Sequence, residues 1–87
     1  MYKVVYDEKV FKDLKSLDKS VAKRILNQIE GKLVKNPQHL GTELVGEFRG
    51  YFRFRIGDYR VIYKISESEI LILVLRIGHR KNIYDRL

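Results

Sequence analysis

Tyr51-Phe52-Arg53-Phe54-Arg55-Ile56-Gly57-Asp58-Tyr59-Arg60-Val61-Ile62-Tyr63 is the stretch that decides the fold. Before the Gly-Asp pair it alternates strictly. Tyr51, Arg53 and Arg55 fall on one side, and Phe52, Phe54 and Ile56 on the other. A period of two is that of a half-buried strand. Gly57-Asp58 supplies a turn, since glycine tolerates a positive φ and aspartate bonds to nearby backbone. Tyr59 to Ile65 then returns as a second strand, rich in aromatic and β-branched residues. One face of this hairpin is apolar. The other carries Arg53 and Arg55, with Arg60 opposite or diagonal to them if the register places it there. Guanidiniums gathered on one sheet face repel one another, an arrangement that makes sense for a surface receiving an anion.

Working outward, Tyr2 to Tyr6 is a short β-prone run, and Asp7 is placed to cap a first helix. Val10, Phe11, Leu14 and Leu17 form its apolar stripe. Asp18 is placed to cap a second helix, in which Val21, Ala22, Ile25, Leu26, Ile29 and Leu33 repeat the pattern up to Asn36-Pro37. Gly31 inside it costs about 1 kcal/mol relative to alanine. The link at Asp18 is so short that the two helices form an antiparallel hairpin. Residues 36 to 46 read as a loop, with His39 a surface residue. After the strand hairpin, Ser66-Glu67-Ser68 turns the chain into Ile70–Leu75, apolar on both faces and so an interior strand. Residues 76 to 87 are a basic tail, short enough to fold back on the sheet with Ile83 as its anchor.

The order is therefore β-α-α-β-β-β plus a short C-terminal tail, an α+β fold. A small antiparallel sheet is expected, mixed if the N-terminal strand pairs parallel, with the αα-hairpin packed on the face of Phe52, Phe54 and Ile56. The face of Arg53 and Arg55 is left open and concave by sheet twist.

Eighty-seven residues make one domain, 1–87, with 45% hydrophobic and 33% charged residues. A formal charge of +7 points to a polyanionic partner: nucleic acid, an anionic membrane surface or an acidic protein. The helix lysines (Lys9, Lys12, Lys15, Lys19, Lys23, Lys32) with Arg24 read as a solvated face or as phosphate contacts. The absence of cysteine excludes disulfides and thiolate catalysis and suggests a cytoplasmic setting. There is no signal-like segment and no apolar run long enough for a membrane span. Only His39 and His79 offer imidazole, without the spacing of a metal site, so neither metal nor cofactor is expected.

Leu44-Val45-Gly46, the Tyr51–Tyr63 stretch and Ile77-Gly78-His79-Arg80-Lys81-Asn82-Ile83-Tyr84 together resemble the RelE/ParE superfamily of toxin–antitoxin toxins. The resemblance covers nearly the whole chain, and the Gly-Asp-Tyr-Arg-Val-Ile-Tyr and His-Arg-Lys-x-x-Tyr blocks are fairly specific to it. It implies a toxin silenced by a cognate acidic, RelB-like antitoxin in a heteromeric complex. RelE-type members cut mRNA in the ribosomal A site, whereas ParE-type members poison DNA gyrase. Arg53 and Arg55 match two basic sheet positions that are often lysine in RelE-type nucleases. Arg60 matches an arginine on the next strand, Arg80 the arginine just after the last strand, and Tyr84 the C-terminal tyrosine, over a shorter spacing. The full basic-plus-tyrosine set favours the ribosome-dependent endoribonuclease over a gyrase inhibitor or a non-toxic RNA-binding module.

Such a nuclease uses the substrate's own 2′-OH against the neighbouring phosphate. It needs a base, an acid and cations for the developing charge. Arginine binds phosphate bidentately but is a poor base, because its guanidinium stays protonated. Arginine in place of lysine thus leaves the base unassigned. Tyr84 is a candidate acid or base, a stacking platform for a nucleobase, or a tail residue packed on the sheet. His79, beside Arg80, belongs to the residue type that moves protons near neutral pH, or is a strand-end residue facing elsewhere. Arg53, Arg55 and Arg60 have only Asp58 and Glu47 near them in sequence, too few carboxylates to neutralise them.

Overall fold

The computed structural model describes residues 1–87. Its elements run β1 (Lys3–Tyr6), α1 (Glu8–Lys15), α2 (Lys19–Gly31), α3 (Pro37–Leu40), β2 (Thr42–Glu43), β3 (Phe52–Ile56), β4 (Tyr59–Ser66) and β5 (Leu71–His79). Short 3₁₀ turns fall at Leu33–Lys35, Gly46–Phe48 and Ile83–Arg86. The sheet order is β1-β5-β4-β3-β2. β1 lies parallel to β5 and every other pair is antiparallel, so the sheet is mixed.

The helix pair covers the expected face. Val10 of α1 and Ile25 and Ile29 of α2 are fully buried in one cluster with Phe54, Val61, Tyr63, Ile72, Val74 and Ile77 of the sheet. Asp7 caps α1 by accepting from the Lys9 N–H at 2.9 Å. Asp18 stands at the N-cap of α2 but its side chain makes no capping bond.

Five details depart from the sequence reading. The sheet has a fifth strand, β2, and a third helix, α3, inside the segment read as a loop. Two residues are too short a strand to show a period, and α3 starts on Pro37, whose missing N–H is harmless in a first helical turn. α2 ends at Gly31 rather than at Asn36. Its glycine is thus a terminal residue, and Leu33 is buried from the following turn. Phe11 is 57% exposed: Val10, Leu14 and Leu17 make the stripe, and Phe11 lies beside it. Ile70 belongs to the turn, with a φ of 53°, and β5 runs four residues beyond Leu75. The arginine face, finally, is partly covered. The Ile83–Arg86 turn folds onto it, and Ile83 is fully buried as anticipated. A Cβ built on Gly78 would come within 3.1 Å of Ile83 Cδ1, so glycine is what lets this turn settle on β5. Ile62, which lies opposite Arg53 and diagonal to Gly78, is fully buried on the same side.

Two buried polar contacts fasten the layers. Tyr63 Oη donates to the Pro37 carbonyl at 2.7 Å, tying α3 to the sheet. A Cβ on Gly41 would fall 1.8 Å from that oxygen, so only glycine passes there. At the other end, β1 pairs with β5 only as far as Val74. Beyond it the Ile77 N–H donates to Asp13 Oδ2 of α1 at 2.9 Å, and the carboxylate stands in for a strand partner.

Candidate functional site

The β3–β4 register sets Arg55 directly opposite Arg60, and Arg53 opposite Ile62. Like charges facing each other across a strand pair destabilise it, so this placement works against the fold. Arg53 Nη1 donates to Tyr84 Oη at 3.1 Å, while its Nε is buried with no hydrogen-bond partner. Arg60 curls back on the turn, where Nη1 donates to the Gly57 and Tyr59 carbonyls, both at 2.9 Å. Partial burial and then the facing Arg55 push the Arg60 guanidinium below its ordinary value; Tyr84 opposes this, and Arg53 and Arg80 add to it. It remains a cation at neutral pH.

Arg80 stands at the rim. Its N–H donates to the Asp58 carbonyl at 2.7 Å, and its Nε lies 3.5 Å from Asp58 Oδ1. Both side chains are well exposed, so this ion pair is weak and open to exchange. No carboxylate pairs with Arg53, Arg55 or Arg60. The structure therefore gathers Arg53, Arg55, Arg60 and Tyr84 in one patch, with Arg80 beside the hairpin tip. A patch of guanidiniums that no carboxylate neutralises can bind a phosphate; the phenol beside it can exchange a proton or stack.

His79 pairs in register with Tyr59, not with the arginines. Its ring meets the Tyr59 ring edge-on at 5.6 Å, and its Nδ1 accepts from the Lys81 N–H at 3.2 Å. It faces the helix side. Tyr59 packs against the core, Tyr63 lies within it, and exposed His39 bonds Asn36. No three His, Asp or Glu side chains gather to hold a metal. No helix is long and apolar enough to cross a membrane.

The residues the sequence reading missed are Asp13, Arg76 and Arg86. Asp13, 4% exposed, accepts from Arg76 Nε at 3.0 Å and Nη2 at 2.8 Å, and from Arg86 Nη1 at 3.4 Å. Burial drives its carboxyl upward, but Arg76, the Ile77 amide and Arg86 together outweigh this and hold it below the ordinary 3.8. The signal was present in the spacing. Asp13 sits three residues after Val10 and four before Leu17, a lone carboxylate on the buried stripe of α1.

Residues 4–84 match the family described as the ParE toxin of the type II toxin–antitoxin system, parDE. Toxin RelG of Mycobacterium tuberculosis is 31% identical over 85 residues, covering 98% of each chain. Toxin RelE of the same organism is 30% identical over 83 residues, covering 95% of this chain and 86% of that one. Among solved structures, the toxin–antitoxin complex RelBE2 of M. tuberculosis aligns with a TM-score of 0.87 at 29% identity, over 91% of this chain and 98% of the other. Family and relatives agree over almost the full length, and this chain belongs to the RelE/ParE superfamily of type II toxin–antitoxin toxins.

Proposed function

We propose that the protein is a RelE-like, ribosome-dependent mRNA endonuclease, held inactive by an acidic, RelB-like antitoxin. The observation that carries this reading is Arg53, with no carboxylate partner and an Nη1 on the Tyr84 hydroxyl, amid Arg55, Arg60 and Arg80. In the proposed reaction the 2′-oxygen of one nucleotide forms a bond to the adjacent phosphorus, and the bond from phosphorus to the 5′-oxygen breaks. The 2′-proton passes to a base and the 5′-oxygen receives one from an acid, leaving a cyclic phosphate and a 5′-hydroxyl. Arg53, Arg55 and Arg80 stabilise the charge on the phosphoryl oxygens, and Arg60 adds its field while bracing the turn. Tyr84 exchanges a proton, its oxygen poised by Arg53.

A partner antitoxin is supported by the charge of +7 and by the complex in which the RelBE2 relative was solved. The second reading is a ParE-like gyrase inhibitor, favoured by the family description that the chain matches. Purified protein, ribosomes and a defined mRNA decide between them. Cleavage is expected on the ribosome, and a single 2′-deoxy nucleotide on the 5′ side of the cut should abolish it there. Inhibition of gyrase supercoiling with no cleavage would replace this reading with the second.

A further inference from the structure

We propose that Asp13 is a positioning residue for the arginine–tyrosine patch: through Arg76 and Arg86 its carboxylate holds the Ile83–Arg86 turn so that Tyr84 stays against Arg53. The consequence for rate rests on the nuclease reading above; the structural latch does not.

Both carboxylate oxygens are in use. Oδ1 accepts from Arg76 Nη2 and Arg86 Nη1, and Oδ2 from Arg76 Nε and the Ile77 N–H. Arg76 in turn donates from Nη1 to the Arg86 carbonyl at 3.0 Å. Arg86 is thus held twice, by its side chain on Asp13 and by its carbonyl on a guanidinium that Asp13 itself orients. On the near side, buried Ile83 rests on Gly78. Tyr84 lies between these two fixed points. A 3₁₀ turn of four residues does not hold itself in place, so the tyrosine's position depends on its anchors. Only an ionised carboxylate offers enough acceptor sites for two guanidiniums and an amide, and asparagine would leave donors unmet. The latch lies outside the arginine patch, on a helix of the other layer, so it touches no substrate.

Arg86 is the residue to perturb, because its side chain is 37% exposed and its loss opens no core cavity. In Arg86→Ala, contacts between the Tyr84 ring and the Arg53 side chain, read by nuclear Overhauser effects, should be lost. Amide exchange in residues 83–86 should quicken about tenfold or more, the scale of one hydrogen bond to a charged group. Resonances of Tyr63 and Val74 should not move. Cleavage should show a fall in kcat with KM little changed, and Arg86→Lys, which returns a cation to Asp13, should recover most of it. Asp13→Asn should give the same loss together with lower stability; if it fails to fold, the Arg86 pair still decides. A folded Arg86→Ala protein that keeps the Tyr84–Arg53 contacts and wild-type exchange would overturn the proposal. Should the wild type cleave nothing, the nuclease reading falls, while the resonance and exchange measurements still test the latch.

Discussion

Replacing Tyr84 with phenylalanine separates the two things its side chain can do. The change deletes one oxygen, the acceptor of a 3.1 Å hydrogen bond from Arg53, and leaves the ring. Tyr84 is 36% exposed and contributes nothing to the main core cluster, so stability should fall by less than about 1 kcal/mol. If the hydroxyl exchanges a proton in the transition state, the cleavage step should slow by about 10²–10⁴. That corresponds to about 2.7–5.4 kcal/mol on the barrier. A ring that only stacks on a base contributes to binding, about 1–3 kcal/mol, and phenylalanine keeps that contribution while alanine loses it. The assay is single-turnover cleavage with mRNA-programmed ribosomes in excess, comparing Tyr84→Phe, Tyr84→Ala and wild type, each checked by circular dichroism. Expected is a large fall in rate for both variants, with weaker binding added only for alanine. A Tyr84→Phe protein cutting within about threefold of wild type would refute the proton-transfer role and leave stacking as the use of the ring.

Arg80→Ala should stay folded, since its one partner Asp58 is itself exposed, and should lose growth arrest and about 10²–10³ in cleavage rate; wild-type cutting would remove Arg80 from the site. Gly41→Ala forces a methyl into the Tyr63 hydroxyl and should cost about 2–4 kcal/mol through overpacking and a lost buried hydrogen bond. A double-mutant cycle with Tyr63→Phe, followed by denaturant unfolding, should show partial recovery; strict additivity would mean that the loop simply moves aside. The Asp13 carboxyl titrates lower in the fold than in the unfolded chain, so the unfolded state binds more protons as acid is added. Its stabilisation should be complete above the ordinary carboxylate value of 3.8 and be lost as pH falls from there through the lower folded value. Melting temperatures of wild type and Asp13→Asn should converge in that window, and a constant gap across it would rule the linkage out.

Much of this molecule was legible because its signals are local. Strict alternation from Tyr51 to Ile56 placed β3 and Gly57-Asp58 placed its turn; the sequence left Arg60 opposite or diagonal to its neighbours, and the register sets it opposite Arg55. Ile83, an isolated apolar residue in a basic tail, announced its own burial. What was not legible depends on partners distant in sequence. Asp13 and Arg76 are 63 residues apart, and neither looks unusual until α1 is laid against β5. β2 is defined by its neighbour Arg53 and Phe52, not by any pattern of its own. The end of β5 was hidden because Arg76 and Gly78 break an apolar run, although both are needed there, one for the carboxylate and the other for Ile83. The arginine patch was read from sequence as a set; that Arg60 spends an N–H group on the turn, and that Arg53 holds the tyrosine, needed coordinates.

The parallel pairing of β1 with β5 ties Lys3 to Leu71 and makes the last strand of the sequence an interior one. A chain emerging from its N-terminus therefore carries a first strand with nothing to pair with until β5 has appeared. Contacts so far apart along the chain must wait for the entropy of closing a long loop to be met, which places them late in assembly. Arg80 and Tyr84, and the carboxylate latch that steadies the tyrosine, come together only after that strand is in place. A chain that lacks β5 and the turn after it cannot present the assembled patch.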